Sequence, residues 1–459
     1  MLRSASQAGP AKPWAWSRIG QLGRYINGRA FKPSEWETRG LPIIRIQNLN
    51  DQSAKFNYTT AAHDERFRVR SGDLLISWAA SLGVYIWRRG DAWLNQHTFR
   101  VEVNEALATK EYLFHAIAAS IPALHAKSHG SGTVHVTKGV FEDHLVRLPS
   151  LAAQREIVAY LDEQLSRLDA SVAALHRVRA NLKRYRASVL SCACEGRLVP
   201  TEAELARQEG RPFETGAQLL QRILAERASS WAGRSLPAEP TAPDHERLPA
   251  HADGWTWASA EQLCGFITKG TTPSANKLAT SGEVGFLKVY NLTNDGVLNY
   301  DHKPAFVSRE THEGELARSM TAAGDVLMNI VGPPLGQVCV IPHAVSEANI
   351  NQAIARFRTV LPEMNKYLAQ ALLTKDVLDR SLREAKTTVG QVNLTLQICR
   401  EIAIPLPPLA EQHRIVAEAD RRLSLIRVAE AQVSANLARA QRLRQSILQA
   451  AFSLPVQTA

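Results

Sequence analysis

The sequence predicts an α+β chain: two pseudo-symmetric globular domains separated by two long antiparallel coiled-coil helices. Three observations carry this. The chain repeats itself, its best-repeated stretches have a coiled-coil period, and ahead of each stretch short strand-like runs mix with one helical segment.

Residues 149–193 and 407–451 align without a gap at an offset of 258, with 17 identities in 45 positions. Self-similarity of this extent marks a duplicated unit. Weaker echoes run upstream in the same order. Trp14 and Trp16 answer Trp255 and Trp257, and Gly28 answers Gly270. Arg45-Ile-Gln-Asn-Leu49 answers Lys288-Val-Tyr-Asn-Leu292, Gly72-Asp73 answers Gly324-Asp325, and Asn95-Gln96 answers Asn351-Gln352. The offset climbs from 241 to 258 and never falls, as small insertions in the second copy require.

The elements follow in order. Residues 1–13 read as a disordered N-terminus. The first domain, 14–148, holds strand-like runs at 41–46, 73–78 and 84–87 and a helical segment at 111–120. A long helix spans 149–195. In 196–252, Thr201 with Glu204 and Thr215 with Gln218 have capping-box spacing, and a proline-rich linker follows. The second domain, 253–406, has strand-like runs at 285–289, 326–330 and 338–341 and a helical segment at 365–374. The second long helix is 407–453.

In the first long helix Leu161, Leu165, Leu168, Val172, Leu175, Leu182 and Val189 recur at spacings of three, four and seven, the pattern of a seam. Leu423, Ile426, Val433, Leu437 and Ile447 form the second seam, with Ala419, Glu430 and Ala440 at further repeat positions. Arg179, Arg186, Glu430 and Arg444 are polar intrusions of the kind that fixes register. About 40 helical residues span roughly 60 Å. If each helix buries its seam on the other and the domains sit at opposite ends, the pair runs antiparallel and the molecule is a dumbbell.

Composition limits the function classes. Of 459 residues, 54 are Lys or Arg and 44 Asp or Glu, a net charge of +10 that points to a polyanion such as nucleic acid. No apolar run reaches the roughly 18 residues of a membrane span, and the N-terminus lacks a secretory signal, so a soluble cytoplasmic protein is expected. Five scattered cysteines suit a reducing compartment. Catalytic signatures are missing. There is no P-loop spacing, and His129-Gly-Ser-Gly-Thr133 lacks the third glycine of a dinucleotide fingerprint. Val331-Gly-Pro-Pro-Leu335 lacks the asparagine and aromatic that hold a flipped base, and Cys192 and Cys194 lack a second metal-ligand pair. No catalytic and no metal-binding residues are therefore assigned.

Binding chemistry is better represented. Arg, Lys, Asn and Gln are the side chains that pair with base edges and phosphates. In a duplicated scaffold, shared residues serve the fold or backbone contacts, whereas residues that differ in matching loops carry sequence choice. Arg29, Lys32, Trp36, Lys127, Ser128 and His129 are candidates in copy one; Thr271, Thr272, Asn276, Lys277, Lys386 and Thr387 are candidates in copy two. Arg45 and Gln47 are expected on a strand, with Lys288 and Tyr290 on its counterpart and Lys269 in the adjoining loop; the Arg45/Lys288 charge suits phosphate. Trp14, Trp16, Trp255 and Trp257 read as core or strand anchors, Gly72-Asp73 and Gly324-Asp325 as turns, and the two Asn-Gln pairs as loop braces. Ordinary polar loops remain the competing reading for any single residue.

Pro405-Leu-Pro-Pro-Leu-Ala-Glu-Gln-His-Arg-Ile-Val416, with its partial copy Leu148-Pro-Ser-Leu-Ala-Ala-Gln-Arg-Glu-Ile-Val158, closely resembles the conserved regions of type I restriction–modification specificity subunits. Trp255-Thr-Trp257 with Gly270, Lys386-Thr-Thr-Val-Gly-Gln391 and Cys194-Glu-Gly-Arg-Leu-Val-Pro200 fit the same family; Ser150 and Ala153 depart from its pattern. The resemblance implies a non-catalytic reader of double-stranded DNA. Each domain would be a target recognition domain for half of a split, asymmetric site, and the helices a ruler and a platform. It further implies two modification subunits that methylate adenine with S-adenosylmethionine, and two restriction subunits that use ATP and Mg2+ to translocate and cut DNA in phage defence. No cofactor is expected on this chain. An orphan or inactive subunit serving as a coiled-coil scaffold, and a free-standing enzyme, are the alternatives.

Overall fold

The structure is a computed structural model that describes residues 14–51, 53–79, 81–127, 136–230, 239–345, 347–382, 387–388 and 391–453. The 1–13 segment, Ser128, His129 and Lys386 lie outside the described residues. The chain forms two compact units, Met1–Arg177 with Ser434–Ala459, and Val178–Val433.

In the first unit, strands β1 (Ala15–Arg18) and β10 (Leu145–Leu148) pair as an antiparallel ribbon that joins the two ends of the domain. Between them lie two four-stranded sheets. One has the order β2 (Gly23–Asn27), β9 (Thr98–Val103), β6 (Leu74–Ser77), β7 (Gly83–Ile86), all antiparallel. The other has the order β4 (Asn57–Thr59), β3 (Leu41–Ile44), β8 (Ala92–Leu94), β5 (Arg68–Val69), with β3 and β8 parallel. The two-residue period of a strand sorts the core. Leu74 and Ile76 of β6 face a cluster containing Tyr112, Leu113 and Ile117 of helix α2 (Lys110–Ala126), whereas Leu75 faces Ile44, Val69 and Leu94 of the second sheet. Helix α1 (Ile46–Asn50) follows β3, and α3 (Lys138–Glu142) precedes β10.

The second unit repeats this topology strand for strand. Its ribbon is β11 (Thr256–Ser259) with β22 (Ala403–Leu406). Its first sheet is β12 (Cys264–Lys269), β19 (Ile354–Thr359), β16 (Val326–Asn329), β17 (Val338–Val340). Its second is β14 (Phe306–Val307), β13 (Val284–Leu287), β18 (Ala348–Ile350), β15 (Met320–Thr321), again with only the middle pair parallel. Val326 and Met328 join the helix-side core while Leu327 turns to the other sheet. The duplicated sequence thus encodes one α+β domain twice.

The long helices are α4 (Leu151–Cys194) and α12 (Leu409–Ser453). In the first unit the start of α4 (Ile157, Leu161, Leu165) shares a core with the end of α12 (Ile447, Leu448). In the second unit the end of α4 (Leu182, Val189, Leu190) shares a core with the start of α12 (Ile415, Leu423, Ile426). Start meets end each time, so the segments run antiparallel within each unit. Leu168, Val172, Leu175 and Leu437 are half-buried and Val433 is buried. Three of the four polar intrusions are ion-paired between the helices: Arg186 reaches Glu430 at 2.6 Å, and Arg444 pairs with Asp169. Arg179 is exposed.

The connector forms α5 (Glu202–Glu209) and α6 (Gly216–Ser229), each opened by the capping box its sequence predicts, with Thr201 and Thr215 accepting the third N–H. Leu219 and Ile223 of α6 pack into the second unit's core. Glu411, buried at the start of α12, accepts the Glu202 N–H at 2.8 Å and the Trp255 indole N–H at 3.0 Å. Its counterpart in copy one is Ala153, which explains that departure: Glu411 serves a connector helix that follows α4.

Two expectations need correction. Arg45 and Gln47 are not on a strand: β3 stops at Ile44, and the Asn48 side chain accepts the Arg45 N–H at 3.1 Å, closing a helical turn in place of further ladder bonds. Likewise Lys288 caps, and Tyr290 lies in, a turn of 3-10 helix rather than a strand, while Lys269, expected in the adjoining loop, is the last residue of β12. The paired tryptophans are not equivalent anchors either. Trp257 is buried beneath the linker, its indole donating to Pro249 at 3.1 Å, but Trp16 is 57% exposed with the Arg147 guanidinium 4.0 Å from its ring centre.

Candidate nucleic-acid interface

In each domain the loop that follows the first sheet strand is stitched to the turn that precedes its neighbouring strand. In copy one, Gly28 and Arg29 donate to the carbonyls of Thr98 and Leu94, and Gln96 donates back to Arg29, so the 28–36 loop is stitched to the 95–97 turn. A Cβ on Gly28 would lie 2.1 Å from the Asn95 carbonyl oxygen, so the approach requires glycine. Copy two repeats this: Gly270 and Thr271 donate to Ile354 and Ile350, and a Cβ on Gly270 would lie 2.0 Å from the Ile350 oxygen. Gly72 and Gly324, with φ of 94° and 87°, open matching turns in which Asp73 and Asp325 accept the N–H three residues back.

The candidates divide by what their side chains do. Arg29 is spent inside its own loop: it donates to Glu35 at 2.6 Å and approaches His63 at 2.9 Å, with Phe31 beneath it. The Lys32 N–H and then Arg29 hold the Glu35 carboxyl below its ordinary range, while burial and then Arg29 depress His63. Lys32 and Gln47 are exposed, and Arg45 stacks 5.2 Å from the centre of the exposed Trp36 ring. Lys127 is exposed at the end of α2. In copy two, Thr272 bonds to Gln352, the brace expected of the shared Asn-Gln pair. Lys277 is held by Glu315 at 2.5 Å, which raises its ammonium pKa, whereas Lys269 and Asn276 are exposed and Thr271 is half-buried. Lys288 is half-buried, and the partly exposed Tyr290 donates its hydroxyl to the Lys303 carbonyl at 3.1 Å. Thr387 lies in a short strand that pairs with 391–392.

Trp78, within the strand-like run 73–78, carries no sequence signal of a site and lies just past the end of β6. Its indole donates to the Asn27 side chain at 3.2 Å, its ring stacks on Phe99, and its carbonyl accepts the Val136 N–H. Trp78 thereby ties the end of β2 to Val136. Next to it His97 holds a φ of 71°, in the left-handed region. Only the folded arrangement of the loops marks these residues.

Burial pushes the thiols of Cys194, Cys339 and Cys399 up to about 11, about 12 and about 12, far from thiolate at neutral pH. Among the described residues no cluster of three His, Cys, Asp or Glu could hold a metal ion, and no helix is long and apolar enough to cross a membrane.

Duplicated scaffolds with divergent polar loops define a class of modular recognition proteins, and comparison with known proteins gives the family. The profile described as Type I restriction modification DNA specificity domain matches residues 11–178 and again 253–421. The protein belongs to that family and carries its domain twice. It is similar to the EcoBI specificity subunit of Escherichia coli (26% identity over 447 residues, 95% of this chain and 85% of that one). Similarity also extends to the EcoDI specificity subunit of the same species (23% over 441 residues, 92% and 88%). A chain solved in work on complex assembly and conformational transition of the type I R-M system shares the fold, with a TM-score of 0.60 at 20% identity, covering 97% of this chain and 99% of that one.

Proposed function

We propose that this chain is the non-catalytic DNA-reading subunit of a type I restriction–modification complex, with each domain binding one half of a bipartite, asymmetric site. The observation that carries the reading is the division of labour between the copies. Glycines and asparagines shared by both build the same loop scaffold, while the exposed residues on it differ: Lys32, Trp36 and Gln47 in one, Lys269, Asn276 and Tyr290 in the other. Shared scaffold with divergent tips suits two different base sequences held by similar backbone contacts. The net charge of +10 favours DNA as the ligand.

The long helices dock two modification subunits, which bring S-adenosylmethionine and methylate adenine, and the complex adds two restriction subunits that use ATP and Mg2+. The complex acts in the cytoplasm. Adenine methylation mapped in cells carrying the modification subunit, with and without this chain, tests the reading. A split, asymmetric motif present only with the chain is the expected result. Methylation indifferent to the chain, with both proteins expressed, would overturn it.

A further inference from the structure

Asn48 and Asn291 occupy the same place in the two copies and are 3% and 2% exposed. Each uses its whole side chain. The oxygen accepts the N–H three residues back, from Arg45 or Lys288. The amide nitrogen donates to two carbonyls of a later loop: Ala54 and Lys55 at 3.2 and 3.1 Å in copy one, Asn299 and His302 at 3.0 and 2.9 Å in copy two. A buried carboxamide with acceptor and donors all satisfied is costly to disturb, so it anchors that loop firmly.

In both copies the anchored loop presents an exposed lysine: Lys55, whose own carbonyl is held, and Lys303, one residue beyond the held carbonyl of His302. Neither lysine has a carboxylate within ion-pair distance among the described residues. Lys303 is constrained further. Tyr290 donates to its carbonyl, its ammonium lies 5.8 Å from the Tyr290 ring centre, and its φ is 49°. A lysine has no side-chain bond to offset a left-handed backbone, so such strain persists only where the surroundings impose it, and it clusters at binding sites. The anchor is shared although the loop lengths and sequences differ, and each time an ammonium without a carboxylate partner stands at the end of it. Base edges differ between two half-sites, but the phosphate backbone does not.

We propose that Lys55 and Lys303 are equivalent phosphate contacts, one per half-site, positioned by Asn48 and Asn291. The proposal rests on the reading that each domain binds DNA. The test measures binding of the chain, assembled with its modification subunits, to a duplex carrying the mapped methylation motif over a range of salt concentrations. Removing one lysine–phosphate pair should reduce the steepness of log K against log salt by about 0.9. Lys55→Ala and Lys303→Gly, the latter suited to the left-handed backbone, should each lower the slope by about 0.9 and together by about 1.8, with the motif unchanged. Asn291→Ala should lower it as well with Lys303 still present. An unchanged slope in the double variant overturns the proposal, and an altered motif overturns the assignment to phosphate. Wild-type binding that ignores salt would overturn the DNA-reading function itself, a result visible before any variant is made.

Discussion

Glu411 makes the stability of the connector depend on pH. Its carboxylate is fully buried, where it accepts N–H groups from Glu202 and Trp255. Burial raises its pKa from 4.5 to about 6, with the nearby Glu202 charge adding to the rise, while the two hydrogen bonds and Arg414 oppose it. A folded pKa above the unfolded one means that the folded state binds the extra proton. The contribution is therefore fully present below about pH 4.5, declines as pH rises, and is lost above about 6. That preference for the protonated form is worth at most about 2 kcal/mol, reduced by whatever solvent reaches the site. In Glu411→Gln the titration disappears and an amide N–H2 faces one of the two donors, which costs about 1–3 kcal/mol at every pH. Hydrogen exchange of the α5 amides, corrected for intrinsic rates, reads both effects locally. The wild type should lose protection between pH 4.5 and 6 relative to Glu411→Gln and run parallel to it above. Parallel profiles across the whole range would refute the reasoning.

Four further outcomes are expected. Leu161→Ala, at a fully buried seam position, should cost about 2–5 kcal/mol in denaturant unfolding, and Leu168→Ala, half-buried, distinctly less. Arg186→Glu and Glu430→Arg should each destabilise and partly restore one another when combined, with a coupling of about 1–3 kcal/mol in a double-mutant cycle. Gly270→Ala must displace the loop from the Ile350 carbonyl, and should weaken binding about tenfold or more while competition with altered duplexes shows the first half-site still read. Arg45→Ala should weaken binding to all duplexes alike, whereas Lys32→Ala and Thr272→Val should change the preferred half-site in methylation maps.

Signals periodic or duplicated along the chain were legible without coordinates. The repeat located both domains, the spacing of Leu161, Leu165 and Leu168 marked a helix seam, and Thr201 and Thr215 announced α5 and α6. The site was legible only in part, because a residue's type does not reveal whether its bonds are already taken. Arg29 and Lys32 lie three residues apart in one basic loop, yet Glu35 and His63 occupy Arg29 and leave Lys32 exposed. Trp16 and Trp257 are aligned partners, yet the linker ahead of Trp257 buries one and no described segment plays that part for the other. Asn48 looked like one polar residue of a strand until its carboxamide met Ala54 and Lys55 across the loop.

The sequence by itself therefore determined what local periodicity and internal comparison can encode: a domain written twice, the two long helices, and the family. Tertiary structure alone decided which exposed side chains remain free. That outcome depends on contacts between segments far apart in the chain, such as Asn291 with His302 and Tyr290 with Lys303, whose partners have no fixed spacing in sequence.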